Sequence, residues 1–162
     1  GGVIMPVIST GGVIQVVHRH DYLTSEVQIS AGNYYNYQTL SITPKSSSSK
    51  LIFMSNPRFY TRVQDRQTAS SGNSYGDTYI YIQDVTNNSQ VKSQEWINYH
   101  DQQTNNASSA SDGLRLQYNV YCEFSNSVTS MRQFRTRAYA RVNYGRVGGE
   151  MLASQIIMEV SN

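Results

Sequence analysis

The residue types of a hydrolase triad lie close together in the second half of this chain. His100 and Asp101 are adjacent, and Ser108 and Ser109 follow a few residues later. An activated serine is usually presented on a sharp turn such as Gly-x-Ser-x-Gly, which this chain does not contain. The stretch is rich in Ser and Asn, where such neighbours arise from composition alone. We therefore expect no catalytic residues here.

Paired carboxylates would indicate a different chemistry, the cleavage of glycosidic bonds, which needs two acidic groups at a fixed separation. No sequence spacing selects such a pair. The acidic candidates are scattered along the chain, at Glu26, Asp77, Asp84, Glu95 and Glu123. We expect the protein not to be an enzyme and to need no cofactor.

One motif has a spacing suited to metal binding. His18 and His20 flank Arg19, so a strand would place both imidazoles on one face, ~6.6 Å apart along it. Around a three-fold axis, three such pairs would offer six nitrogen ligands to a transition metal. The simpler alternative is solvent exposure, since Asp21 follows and the strand end is edge-like. We favour exposure and predict no metal.

The single cysteine, Cys122, excludes a cysteine-based zinc site and an internal disulfide, and its strand position suggests a small buried hydrophobe.

Aromatic residues provide the best candidates for binding carbohydrate. Trp96 and Tyr99, with Tyr75 in the preceding loop, could stack on the C–H face of a sugar ring while neighbouring polar side chains bond its hydroxyls. The alternative is that Trp96 anchors the core or a subunit interface.

A cluster of arginines is the main basic feature. Arg135, Arg137, Tyr139 and Arg141 alternate along one face of a predicted strand, with Arg132 just before it. Such a strip could meet phosphate, an acidic polysaccharide or an acidic subunit. We favour a solvated outer face, or pairing with Glu123 and Glu159 on neighbouring strands. The formal net charge of +2 is too small to indicate nucleic-acid binding.

Strands must position all of these residues, because hydrophobic residues recur with a period of two along most of the chain. In the clearest example, Phe134, Thr136, Ala138 and Ala140 alternate with polar residues. No stretch has a convincing helical period. Seven or eight strands separated by turn residues predict an antiparallel β-sandwich, jelly-roll-like, with very little helix.

A length of 162 residues suits one domain, which we place at residues 12–162. Residues 1–11 form a predicted arm or linker, whose apolar residues need a neighbouring surface. The polar region of about 64–112 is predicted to form elaborated hairpins rather than the central core. No apolar run approaches the ~18 residues that span a bilayer, so we expect no membrane insertion.

The composition favours contact by surfaces. Only 15% of the residues are charged, whereas thirteen are tyrosine. Tyrosine gives rigid amphipathic contact area, and Ser, Asn and Gln give adaptable hydrogen bonds, which suits a recognition surface. The alternative is that β-sheets simply favour Tyr and Thr.

Three segments resemble marine bacteriophage tail-fibre and virion structural proteins. They are Gly11 to Val17 (GGVIQVV), Leu40 to Ile52 (LSITPKSSSSKLI) and Ser154 to Val160 (SQIIMEV). The second segment, a strand, a Thr-Pro break, a serine-rich loop and a returning strand, looks like the most recognisable signature of the family. The resemblance implies a trimeric β-sandwich displayed on a virion. It supplies no catalytic residues and no receptor.

From these observations we expect a virion appendage domain that forms a homotrimer, contacts other virion proteins and attaches to host surface polysaccharide. A capsid decoration or head-fibre protein of the same fold is one alternative. A lectin-like carbohydrate-binding module is another, and it would be a monomer or dimer without a particle.

Overall fold

The computed structural model describes residues 12–23, 26–63, 73–101, 112–117, 119–140, 145–148 and 151–162. Side chains are described at 12–22, 27–58, 79–91, 117, 119–140 and 153–162. All regular elements in these ranges are strands, and all their pairings are antiparallel. The prediction of an all-β antiparallel fold is thus confirmed. None of the described residues forms a helix that is long and apolar enough to cross a membrane.

The first sheet contains both ends of the described chain. Its order is β1-β13-β5-β10, in which β1 is Val13–Leu23, β13 is Met151–Val160, β5 is Lys50–Asn56 and β10 is Val120–Ser125. A second group of four strands has the order β2-β12-β6-β9, namely Glu26–Ile29, Gly145–Gly148, Arg58–Val63 and Asp112–Gln117.

These two groups repeat one order of chain segments. Taken in order, the strands of the two groups are neighbours in sequence: β1 with β2, β13 with β12, β5 with β6, and β10 with β9. Pro57 separates β5 from β6, and proline cannot donate to a strand ladder. The two ladders therefore follow the same chain segments in the same order, and the break between β5 and β6 falls at Pro57.

The other sheet has the order β3-β11-β7-β8, and β4 also pairs with β11. Its strands are β3 (Asn33–Asn36), β4 (Leu40–Ile42), β7 (Asn73–Asp84), β8 (Ser89–Asp101) and β11 (Arg132–Ala140). Along β11 every second side chain is buried, from position 132 to position 140. The predicted alternation of this strand is therefore confirmed.

The core lies where the two sheets face each other. Phe53 of β5 lies 6.1 Å from Phe134 of β11, measured between ring centroids, and Phe124 of β10 lies 4.8 Å from Phe134. Leu51, Ile157 and residues of β7 complete a continuous apolar layer. Burial of this layer is the main stabilising contribution. Cys122 packs against the layer but is only partly buried, so it is less enclosed than the sequence suggested.

The region of about 64–112 contributes more to the core than we predicted. Within its described part, β7 and β8 form a hairpin, as expected. However, β7 lies between β8 and β11, and Ile80 and Ile82 are both 0% exposed. The sequence did not reveal this central position for two reasons. The segments that flank β7 are polar, and its alternating tyrosines and isoleucines make both faces of the strand apolar, so neither face is singled out as the buried one.

Polar groups are also enclosed between the sheets, and several of them are paired, although the Ser55 hydroxyl has no hydrogen-bond partner among the described residues. Arg132 forms a buried ion pair with Asp84, and its guanidinium lies 5.0 Å from the centre of the Phe134 ring. Gln155 of β13 accepts a hydrogen bond from the backbone N–H of Thr136 at 3.2 Å and donates to Asp21 at 3.1 Å. Arg132 is therefore an internal residue and does not belong to an outer cationic strip.

Replacement of Ile80 by alanine tests the central position of β7. We expect the free energy of unfolding to fall by about 2–5 kcal/mol, because the change leaves a cavity in a fully buried site. Val91 on β8 is 44% exposed, and Val91→Ala should change stability by less than about 0.5 kcal/mol. Chemical denaturation measures both, and equal effects of the two changes would contradict this placement of β7.

Candidate recognition and assembly surfaces

An outward cluster of tyrosines covers part of the β3-β11-β7-β8 sheet. Because strand side chains alternate, the burial of Ile80 and Ile82 in β7 leaves its tyrosines on the opposite face. The same alternation in β11 leaves Arg137 and Tyr139 outside. We call this cluster the tyrosine–arginine platform; it comprises Tyr34, Tyr79, Tyr81, Arg137 and Tyr139.

Ring contacts make the platform continuous across three strands. Tyr34 of β3 lies 4.8 Å from Tyr139 of β11 and 5.8 Å from Tyr81 of β7, between ring centroids. Tyr79 lies 5.9 Å from Tyr139 and 6.3 Å from Tyr81. These tilted and edge-on contacts fall in the range that aromatic pairs prefer. All four rings are half-buried, so they hold one another in place while keeping exposed area.

Arg137 is fixed at one edge of the platform. Its guanidinium lies 3.8 Å from the centre of the Tyr34 ring, a cation–π stacking distance. Its Nε donates to Asn36 Oδ1 at 2.7 Å, and one terminal nitrogen donates to Gln90 Oε1 at 2.9 Å. Gln90 in turn donates to the Tyr34 hydroxyl at 3.3 Å. Neutral amides therefore orient this cation without neutralising it.

Arg135 is a second cation next to the platform. It donates from Nε to Gln83 Oε1 at 2.8 Å. Burial and the charge of Arg137 both lower the pKa of Arg135. The alternative that these arginines pair with Glu123 or Glu159 is wrong, because both glutamates lie on strands of the other sheet. Among the described side chains, neither Arg135 nor Arg137 forms an ion pair.

The predicted sugar-stacking residues lie on the neighbouring β7–β8 hairpin. The prediction that Tyr75 lies in a loop is wrong, because β7 already begins at Asn73. Tyr75 pairs with Tyr99 across the two strands, and Trp96 pairs with Thr78. Their side chains lie outside the described part of the structure, so their role stays a prediction. The same applies to His100 and Asp101, which are placed on β8 by backbone alone. Ser108, Ser109 and Arg141 lie outside the described residues, as does the predicted arm at 1–11.

The histidines of the His-x-His motif lie side by side on the edge strand β1. The centroids of the His18 and His20 rings are 5.5 Å apart, and both side chains are exposed. His20 Nδ1 lies 3.0 Å from the hydroxyl oxygen of Ser154. The described residues contain no group of three or more His, Cys, Asp or Glu side chains that could hold a metal.

The outside of the β1-β13-β5-β10 sheet is different, because its two central rows are mostly apolar, with exposed His18 at the β1 end of one row and exposed Glu123 at the β10 end of the other. The register aligns Val16 with Met158 and Ile52, and Ile156 with Met54 and Tyr121. Val16 is 54% exposed and Tyr121 is 67% exposed. A shallow depression of about 290 Å³ lies beside Met54, Tyr121 and Ile156. We call this surface the apolar outer face; it comprises Val16, Ile52, Met54, Tyr121, Ile156 and Met158.

A buried carboxylate joins the ends of the first sheet to the serine-rich loop. Glu159 of β13 is 0% exposed. It accepts hydrogen bonds from the backbone N–H groups of Lys45 and Ser46 at 2.9 Å each, from the Ser49 hydroxyl at 2.8 Å and from the Gln15 amide at 2.6 Å. Burial opposes ionisation of Glu159, but these donors outweigh it and lower the pKa of the carboxyl.

The sequence identified only one half of the platform. It placed Arg137 and Tyr139 together on an outer face, but it did not associate them with Tyr34, Tyr79 or Tyr81. The alternating tyrosines and isoleucines of β7 carried a usable signal, because the isoleucines could have been assigned to the core. No sequence signal indicated that β3 pairs with β11 and brings Tyr34 to Tyr139.

Comparison of the chain with models of known protein families and with curated proteins finds no match.

Replacement of Glu159 by glutamine tests the buried carboxylate. We expect a loss of about 2 kcal/mol or more, because the new amide loses charge-assisted bonds and presents a donor to other donors. The folded-state pKa of Glu159 is lowered, so its contribution is complete above the unfolded value of about 4.3 and is lost as the pH falls through the lower folded value.

The measurement is the difference in unfolding free energy between wild type and Glu159→Gln, followed from neutral to acidic pH. The pKa of Asp21 is raised, so its contribution to stability changes with pH in the opposite direction. Because Asp21 is present in both proteins, its contribution cancels in the difference. Exposed Glu123 provides the matched control, since Glu123→Gln should change stability by less than about 0.5 kcal/mol. A difference that stays constant with pH would show that the charge of Glu159 contributes nothing.

Proposed function

We propose that this chain is a virion appendage domain of the tail-fibre type, which assembles as a homotrimer and attaches the particle to glycans on the host surface. In this proposal the domain acts through its surfaces, performs no catalysis and needs no cofactor. Its partners are copies of itself, other virion proteins and host polysaccharide, and its location is the extracellular particle.

The observation that carries the proposal is the convergence of three segments on Glu159. The segments that resemble marine phage virion proteins contribute Gln15, the loop residues Lys45, Ser46 and Ser49, and Glu159 itself. Each segment carries little information alone. The hydrogen bonds to Glu159 join the three segments in one structural unit, so there is a physical reason for them to occur together in a protein. This supports the resemblance.

The connectivity of the strands favours a jelly roll. The thirteen strands reduce to eight when five sequence-adjacent pairs are each counted as one, namely β1 with β2, β3 with β4, β5 with β6, β9 with β10 and β12 with β13. The first sheet then runs first, eighth, third, sixth, and the other runs second, seventh, fourth, fifth. Two Greek keys wound in this way recur in viral capsid proteins and in lectins. The fold therefore suits both the virion proposal and the lectin-like alternative.

The apolar outer face supports assembly. Its partly exposed Val, Ile, Met and Tyr side chains form contiguous rows on a sheet whose inner side is already covered by the core. Contiguous apolar surface of this kind marks an interaction site on a protein outside the membrane. Contact with further copies of the chain would remove the rows from water, as a closed three-fold assembly requires.

Attachment to glycans is supported by the opposite side of the sandwich. The tyrosine–arginine platform is rigid, amphipathic and flanked by amides, which are the properties of a recognition surface. Assembly through one sheet would leave this second sheet facing outwards. A capsid decoration or head-fibre protein remains the alternative with the same assembly, and its position on the particle distinguishes it.

The mass of the purified protein by light scattering tests the assembly. We expect the mass of three chains. A lysine at either of two exposed positions of the apolar outer face, Val16→Lys or Tyr121→Lys, should reduce it to one chain, because an interface cannot readily bury an unpaired charge. Val128 is 39% exposed in the turn after β10, and Val128→Lys should leave the trimer intact.

A wild-type monomer would contradict the proposed assembly and favour the lectin-like module. A trimer that survives both face variants would place the interface elsewhere. Localisation of the domain on intact particles then separates a tail appendage from a capsid decoration.

A further inference from the structure

We infer that the tyrosine–arginine platform is a binding site for an acidic saccharide, with the tyrosine rings against the sugar and Arg137 at its carboxylate or sulfate group. This inference rests on the proposed role in host attachment. It adds both the location of the site and the chemical class of the ligand, and it differs from the Tyr75, Trp96 and Tyr99 candidates.

The rings supply a surface that fits sugar rings. Sugar C–H groups pack on aromatic faces, and the hydroxyl groups of Tyr can bond those of the sugar. Tyr34, Tyr79, Tyr81 and Tyr139 span three adjacent strands at centroid spacings of 4.8–6.3 Å. Strands lie about 4.8 Å apart, so the cluster extends over a width comparable to one or two pyranose rings.

The charge of the site specifies an anion. Arg137 uses two of its N–H groups for the neutral oxygens of Asn36 and Gln90, and the remaining N–H groups have no partner among the described residues. A guanidinium in this state can bond a carboxylate or a sulfate in a forked geometry. Its stacking on Tyr34 fixes the fork before a ligand arrives, which reduces the entropy lost on binding.

The neighbourhood of Arg137 strengthens this preference. Arg135 precedes it by two residues on the same face of β11, and Gln83 is its described partner. Two like charges held close together repel, and an anion between them relieves the repulsion. On β8 the backbone register places Lys92 opposite Tyr81 and Glu95 opposite Tyr79.

The same features argue for a saccharide over a nucleic acid. A nucleic-acid site needs a broad basic surface, whereas the whole chain has a net charge of only +2. The amides of Asn36, Gln83 and Gln90 around the two arginines are suited to ligands with many hydroxyl groups.

The test is calorimetric titration of the intact protein with defined oligomers. A short oligogalacturonate and a sulfated galactan oligomer are the acidic probes. Fully methyl-esterified oligogalacturonate has the same sugar without the charge, and a single-stranded DNA oligonucleotide has charge without the sugar. We expect binding to an acidic oligomer, binding at least about tenfold weaker to the methyl ester, and weakening as salt is added.

Variants locate the site. Arg137→Gln should weaken binding about tenfold, and Arg137→Lys should have an intermediate effect, because it keeps the charge but loses the planar fork. Lys50 is exposed on the other sheet, so Lys50→Gln removes the same charge away from the platform and should change the affinity by less than about twofold. Thermal melting of each variant reports its folding. If Arg137→Gln does not fold, Arg135→Gln should still weaken binding about fivefold.

Four results would overturn the inference. They are equal binding of the methyl ester, equal weakening by Lys50→Gln, tighter binding of the DNA oligonucleotide, and no binding of any acidic oligomer. A trimer that ignores acidic sugars would overturn this inference and leave the proposed assembly standing. A monomer that binds acidic sugars through Arg137 would support this inference and overturn the proposed assembly.

Discussion

Alternate side chains of the core strands must leave water, and the rest of this structure depends on that constraint. The two sheets meet through Phe53, Phe124 and Phe134, with Ile80 and Ile82 buried beside them. Because neighbouring side chains point to opposite faces, each residue enclosed in this layer determines which residue is presented outside. The core therefore selects the content of both outer surfaces.

The two outer faces meet that constraint in different ways. On the β1-β13-β5-β10 sheet the outward positions at the centre are apolar, among them Met54 and Ile156, so this part of the sheet is suited to further burial. On the other sheet the outward positions hold tyrosines and arginines, which are suited to polar ligands. The proposed function assigns assembly to one face of the sandwich and recognition to the other, so that the two would operate at the same time without a conformational change.

Several buried polar groups give the fold specificity, and the best-connected of them are satisfied in different ways. Glu159 remains ionised because four groups donate to it, whereas burial raises the pKa of Asp21 despite bonds from Gln38 and Gln155. The ion pair of Arg132 with Asp84 fixes the turn into β8, where the Asn87 side chain also donates to Asp84 at 2.7 Å. Such groups strongly penalise alternative strand registers, because a shift of one residue would leave them unpaired.

The sequence by itself determined the class of the fold and the faces of its most regular strand, β11, because a period of two is a local property. The alternation of β11 was predicted residue by residue, and so was the outward position of Arg137 and Tyr139. Strand pairing is not local, and only the tertiary structure decided it. Tyr34 and Tyr139 are distant in sequence and meet because β3 joins the edge of β11. In the same way, Gln15 reaches Glu159 through the pairing of β1 with β13, and loop Ser49 reaches it across the sheet. The candidate site was therefore half predicted, since local patterns assign a side chain to a face but cannot identify its neighbour on the next strand.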